Sequence, residues 1–426
     1  MPDNYRQMWT DLGLNLKNHD TLLEVLGKVY GDIFLSQKNR PKKTEYLDFV
    51  MSEVHGLRIK ELVDGKKQGK KVIGTYCTFV PEEIILAADS VMVGLCAGAD
   101  FSTEEAGKYL PKNTCALIKS TFGFKLGGVC PYLEASDLIV GENTCDGKKK
   151  AYEILKSLVK DLYVVDLPQT KNENAHKLLR AEYDKFRKHI EQLTGKTITV
   201  ENLKKAIDTV NAKRSVIHRL SALRANKKLP ISGLDSLLIN QIFFYEDPVR
   251  FTSQINGLCD ELEARIREGV SVAPEGTPRI LISGCPMAVP NWKLPAIIET
   301  SGAAIVGEES CVGERGTRNL VDNSGKTIDA LMDALVSRYL KIDCAIFSPN
   351  DERREHIREM YEKYKANGVI LYGLQFCAPY TMEAMGIEKE LEKDGIPALR
   401  IETDYSQEDM GQLKTRIQAF IERLKG

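Results

Sequence analysis

Short apolar runs, most of them closing on a cysteine, recur through this chain and limit its fold more than any other feature. KVIGTYC runs into Cys77, SVMVGLCAG reaches Cys96, and ASDLIVGENTC ends at Cys145. Later, PRILISGCP reaches Cys285, AAIVGEESC ends at Cys311, DCAIFSPN carries Cys344 and GVILYGLQFC ends at Cys377. Continuous apolar runs of this length predict strands buried on both faces of a parallel sheet. DLYVVDLP (161–168) and IPALRIETD add two more strands without cysteine. Helical patterns lie between them. FVPEEIILAAD places Pro81 at a first turn and Glu82 and Glu83 near the positive helix end. Strands alternating with helices predict a doubly wound α/β fold. Such sheets bind ligands outside the carboxyl ends of their strands, where these cysteines fall.

The densest stretch is 111–150, where Cys115, Cys130 and Cys145 stand at two equal intervals of fifteen. Three thiols brought together at strand ends make a soft-metal site. Zinc favours closely spaced C-x₂₋₄-C pairs, and the sequence has none. Single cysteines on separate loops suit an iron–sulfur cluster assembled between domains. Cysteine also serves as a small buried apolar residue. Of the ten cysteines, however, only Cys259, inside a helical pattern, stands clearly off the strand-end scheme. The expectation is a metal cofactor in an interdomain cleft.

The 426 residues allow several cores. They divide into an N-terminal helical segment (1–65), a first α/β domain (66–170), a helical insertion (171–275) and a second α/β domain with a C-terminal helix (276–426). In the first segment, TLLEVLGKVYGDIFL and the run from Thr44 to Leu62 have helical spacing. In the insertion, HKLLRAEYDKFRKHIEQLTG ends at Gly195 as a helix cap, and Thr199 opens the next helix. Lys204, Lys205, Arg214, Arg219 and Arg224 read as a solvated face there. Lys plus Arg number 59 against 60 Asp plus Glu, so no basic field exists to gather nucleic acid. The first residues lack a basic region followed by an apolar core, and no apolar run is long enough for a bilayer. A cytoplasmic protein with reduced thiols is expected. Neither G-x-G-x-x-G nor G-x-x-x-x-G-K-[ST] occurs, so no dinucleotide or P-loop site is read.

These motifs carry a resemblance. TYCTFVPEEIILAAD, VGLCAGAD, GVCPYLEASDLIVGENTCDGKKK, SGCPM, GEESCVGERG, DCAIFSPNDERR, GVILYGLQFCAPY and GIPALRIETD occur here in that order. Together they resemble the activase-dependent 2-hydroxyacyl-CoA dehydratase superfamily, and more closely its double-cubane cluster branch, over nearly the whole chain. The resemblance implies two flavodoxin-like (Rossmann-like) domains with the cluster in the cleft between them. It places the three family ligands at Cys115, Cys145 and Cys377. A double cubane, two [4Fe-4S]-type units bridged by sulfide, needs six thiolates. Cys130, Cys311 and Cys344 are expected to supply the rest, with Cys77, Cys96 and Cys285 as competitors.

The branch implies an oxidoreductase that reduces small molecules at low potential. Its electrons come from a separate ATP-hydrolysing [4Fe-4S] activator, and the chain is expected to form a homodimer. No nucleic acid or membrane partner is expected. Two alternatives stand beside this reading: a 2-hydroxyacyl-CoA dehydratase subunit with a single [4Fe-4S] cluster, and a non-catalytic iron–sulfur electron-transfer protein. Glu309, Glu314 and Arg315 flank Cys311 and are the candidates for positioning a proton, or for holding the loop. Lys148, Lys149 and Lys150 read as a helix start near anionic sulfur or as solvated charges. His356 reads as surface, and Gly127 and Gly128 as a tight loop beside Cys130.

Overall fold

The computed structural model describes residues 4–425; residues 1–3 of the N-terminal segment and Gly426 lie outside the described residues. Two four-stranded sheets, parallel throughout, organise the chain. The first contains β1 (Val72–Thr75), β2 (Val91–Gly94), β3 (Leu138–Glu142) and β4 (Leu162–Val165) in the order β2-β1-β3-β4. The second contains β5 (Arg279–Gly284), β6 (Ala304–Glu309), β7 (Gly368–Leu374) and β8 (Ala398–Thr403) in the order β6-β5-β7-β8. The same winding therefore occurs twice. In each sheet the chain steps one way and then reverses, so the crevice lies beyond β1 and β3, and beyond β5 and β7. Cys77, Cys145, Cys285 and Cys377 follow those four strands.

The expected strand around Cys344 does not form. Phe347 N–H and the Asn350 side-chain amide both donate to the Cys344 carbonyl, each at 3.1 Å, and fold the segment into a turn. Asp343 is drawn away from the sheet by Lys171 at 2.9 Å, by Arg318 at 3.4 Å and by His356. The run from Thr44 to Leu62 is also two helices, Glu45–Ser52 and Leu57–Lys67. They part where the Glu53 carboxylate accepts Tyr5 O–H at 2.8 Å and Leu57 N–H at 3.1 Å.

Four helices, Glu173–Thr194, Val200–Arg224, Gly233–Ile242 and Pro248–Glu268, occupy the middle of the chain. Asn172, Thr199, Ser232 and Asp247 cap their N-termini through side-chain oxygens. Gly195 closes the first of them at φ +69°, as its position predicts. The helix Val200–Arg224 corrects the solvated reading for Arg214 and Arg224, which are buried, while Lys205 is exposed as that reading has it. Lys213 meets both Glu82 oxygens at 2.9 Å, and Arg214 meets Glu83 at 2.6 Å. Arg224 grips Glu308 with two bonds of 2.6 and 2.7 Å. All six groups are buried. One helix thus ties the first domain, through Glu82 and Glu83, to the second, through Glu308.

Backbone bonds close the cleft as well. Gly98 N–H donates to Val289 O at 2.8 Å and Ala116 N–H to Gln375 O at 3.3 Å. A Cβ on Gly98 would lie 2.3 Å from Ala288 O, so only glycine permits that approach. Among the described residues no helix is long and apolar enough to cross a membrane.

Candidate functional site

A cavity of about 610 Å³ lies between the carboxyl ends of the two sheets, and eight cysteines line it. Cys77, Cys96, Cys115 and Cys145 come from the first domain; Cys285, Cys311, Cys344 and Cys377 come from the second. The rest of the wall is largely apolar, with Leu110, Ile118, Ile154, Val289 and Leu374 among its members. Two polar groups of the wall, Tyr76 Oη and Thr78 Oγ1, are buried without a hydrogen-bond partner. All ten cysteines are free thiols.

The thiols fall into two sets. Cys115, Cys145, Cys285 and Cys377 form the first: Cys377 neighbours Cys115 and Cys285, and Cys145 faces Cys115. Cys77, Cys311 and Cys344 lie near one another in the second, with Cys96 also near Cys311. Burial pushes the Cys344 thiol up to about 11 and Cys96 up to about 12. Cys77 is pushed well up by burial and then by the Glu142 carboxylate. Cys115 is raised first by its thiol neighbour Cys377 and then by burial. These sulfurs therefore keep their protons unless a soft cation replaces them.

The donor set fits an iron–sulfur group. Among the described residues no three Cys, His, Asp or Glu side chains converge on one metal ion. A cubane does not ask for that, because each thiolate binds a different iron of the cluster. Separated thiols around an apolar cavity satisfy a cluster, whereas a lone zinc ion would need converging ligands.

Five of the six expected ligands, Cys115, Cys145, Cys311, Cys344 and Cys377, line this cavity, and Cys130 does not. Cys130 precedes the helix Pro131–Ala135 and packs with Leu22, Ala97, Phe124 and Val129. Its loop turns at Gly128 (φ +62°), whose carbonyl accepts Asn15 N–H at 2.9 Å, and so faces the N-terminal helices. The competitors Cys77, Cys96 and Cys285 all reach the cavity.

The proposed proton-positioning carboxylates lie behind the wall. Glu309 is fully buried, bonded to Arg315 at 2.6 and 2.8 Å, to Arg353 at 3.1 Å and to Ser283 at 2.6 Å. Burial alone would raise its pKa, but the two guanidiniums overturn that and hold it at about 2. A carboxylate so firmly ionised is no proton donor. Glu314 faces Lys363 at 3.0 Å and the Tyr364 hydroxyl instead. Arg315, by contrast, touches the site: its Nη1 lies 3.7 Å from Cys311 Sγ and bonds Tyr380 Oη. Lys148 is not a solvated charge, because its ammonium pairs with the buried Glu142. His356 is half-buried on Asp343, next to Cys344. Tyr380, Tyr76, Glu142 and Arg353 join the site although the sequence motifs that contain them single none of them out. Each works through a contact across the fold, and no local pattern announces it.

The Glu309 network sets a pH dependence. Its folded pKa lies below the ordinary carboxylate value of 4.5, so its stabilisation is complete above that value and lost as pH falls toward 2. Each unit of depression is worth about 1.4 kcal/mol, which makes the contribution on the order of 3 kcal/mol. Wild type should therefore be the more stable protein at pH 6, with its advantage over Glu309→Gln shrinking progressively below pH 4.5. Urea unfolding of both proteins across this range checks it; a constant difference would refute the assignment.

The family described as "2-hydroxyglutaryl-CoA dehydratase, D-component" matches residues 77–424, a span that takes in every strand but β1 and all eight cysteines of the cavity. The chain belongs to this family. It is 40% identical to "Putative dehydratase subunit YjiM" of Escherichia coli (strain K12), covering 88% of this chain and 96% of that protein. It is 28% identical to the "(R)-phenyllactyl-CoA dehydratase beta subunit" of Clostridium sporogenes, over 84% of this chain and 93% of the relative. A third relative, a benzoyl-CoA reductase polypeptide of Thauera aromatica, is 22% identical over 84% of this chain and 91% of its own length. The 2-hydroxyglutaryl-CoA dehydratase D-component family therefore relates this chain to dehydratase and reductase polypeptides alike. All the strand-end cysteines lie within the matched region.

Proposed function

We propose that this chain is an iron–sulfur reductase that holds a double cubane between its two domains and reduces small molecules at low potential. The observation that supports it best is the count of thiols: eight surround one cavity, where a single cubane of this superfamily uses three. On this reading Cys115, Cys145 and Cys377 hold one unit, and Cys77, Cys311 and Cys344 hold the other. Cys77 takes the place expected for Cys130. Cys96 is set aside because its thiol is bonded to Tyr76 O at 3.0 Å. Cys285, 1% exposed, backs the first set beside Cys377.

Such a group supplies low-potential electrons, and the protein does the rest. The apolar wall keeps bulk water from the sulfurs, which favours a low potential. Tyr76 and Thr78 hydroxyls, unpartnered and buried in the wall, are placed to bond a small polar substrate. Electrons are delivered by a separate ATP-hydrolysing activator, and the chain works as a homodimer in the cytoplasm. The competing reading is a dehydratase subunit with one cubane on Cys115, Cys145 and Cys377, favoured by the relatives that carry that name.

Iron and acid-labile sulfide, measured on protein purified without oxygen, separate the two. About eight irons per chain are expected for two cubanes, and about four would establish the dehydratase pattern. Iron-free protein would overturn both.

A further inference from the structure

The two thiol sets do not have the same electrical surroundings. Arg315 is 2% exposed and lies against the second set, with Nη1 3.7 Å from Cys311 Sγ. The same Nη1 donates to Tyr380 Oη, and Tyr380 Oη lies 3.7 Å from Cys344 Sγ. Arginine has no acceptor, so the tyrosine oxygen must accept from it, leaving the hydroxyl proton free for the Cys344 sulfur. The Tyr380 ring is flanked by two cations, with the Arg315 and Arg353 guanidinium carbons 5.2 and 4.9 Å from its centroid. Behind them Glu309 bonds both arginines, and Glu383 bonds Arg353. Cys77, the third thiol of this set, faces Glu142 and Lys148, whose charges oppose each other.

The first set has different partners. Among the described residues the sulfurs of Cys115, Cys145 and Cys377 meet backbone N–H groups at helix starts and neighbouring thiols, and Cys145 also feels the Lys148 charge, but no side-chain hydrogen bond from a charged group reaches them. Donors and positive charge close to ligating sulfur stabilise the reduced form of an iron–sulfur group.

We infer that Arg315 and Tyr380 make the halves of the cavity unequal, so that an added electron is stabilised first on the Cys311–Cys344 side. The inference rests on the double-cubane reading. The electron is delivered by the activator, which is oxidised by one, and no proton moves in this step. Arg315 and Tyr380 are positioning residues, acting through the sulfurs they touch. The Cys115–Cys145–Cys377 side is left as the more strongly reducing half, and it adjoins the part of the wall that includes the exposed Phe376 and Met382.

The test is a reductive titration of the whole chain, purified without oxygen and followed by electron paramagnetic resonance, with iron counted on the same samples. The wild type is expected to show two separate one-electron steps. Tyr380→Phe should lower the equilibrium constant of the easier step about tenfold, or 59 mV, and leave the harder step in place. Arg315→Lys, which keeps charge but loses the planar fork, should move the same step in the same direction. With about eight irons retained, an unmoved easier step in both variants, or a shift of the harder step alone, would overturn the inference and leave the function standing. Iron-free wild type would overturn the function, and the inference with it.

Discussion

Cys77→Ala is expected to cut bound iron from about eight per chain to about four, while Cys130→Ala should leave it unchanged. The contrast is sharp because both are partly buried cysteines of the first domain, 53 residues apart in sequence. Cys77 follows β1 directly, at the point where the sheet order reverses, and lies near Cys311 and Cys344 across the cleft. Cys130 lies on the far side of the turn at Gly128, among Leu22, Phe124 and Val129. On the double-cubane reading, removing Cys77 leaves one unit a thiolate short, because the two spare thiols of the wall are engaged, Cys96 on Tyr76 O at 3.0 Å and Cys285 beside Cys377. Removing Cys130 exchanges a small apolar side chain for another. Iron loss from Cys130→Ala with full retention in Cys77→Ala would reverse the assignment. Equal loss in both would point to damage to the fold, which circular dichroism on the same samples would register.

Arg224→Met is expected to destabilise the protein by about 3–5 kcal/mol, the usual cost of leaving a buried ion without its partner. The side chains of Arg224 and Glu308 are 4% and 2% exposed, and two parallel bonds join them. Without the guanidinium, Glu308 is a buried carboxylate at the end of β6, two residues from Ser310 and three from Cys311. The double variant Arg224→Met/Glu308→Leu should recover most of the loss, because a well-packed apolar pair replaces a buried ion pair at little net cost. Urea unfolding of the single and double variants measures this. A double variant as unstable as the single one would show that the pair's packing, rather than its charge, matters. The same helix holds Glu82 and Glu83 through Lys213 and Arg214, so its ion pairs set the spacing of the cleft as well as the stability.

Much of the architecture is legible in the chain because it depends on local pattern. Buried parallel strands need apolar runs, and such runs mark all of β1 to β8 at the places where they occur. Gly195 and Thr199 act as the caps their chemistry predicts. The same rule misleads at DCAIFSPN, where an apolar run is drawn out of the sheet by the Asp343 ion pairs on either side. It also misleads in the long basic helix. Spacing shows which residues share a helix face, but not that acids 131 residues away in sequence will bury that face.

The sequence by itself determined that thiols gather at strand ends in two repeated α/β halves, because strand patterning and strand-end placement are short-range properties. Only the tertiary structure decided which thiols meet. Cys77 and Cys130 look alike in sequence, and what separates them is the sheet's reversal at β1 and the turn at Gly128. Only the fold, too, placed Glu309 behind the wall and Tyr380 in it. Burial and pairing are set by residues distant in the chain, whose contacts form when the two sheets close on each other.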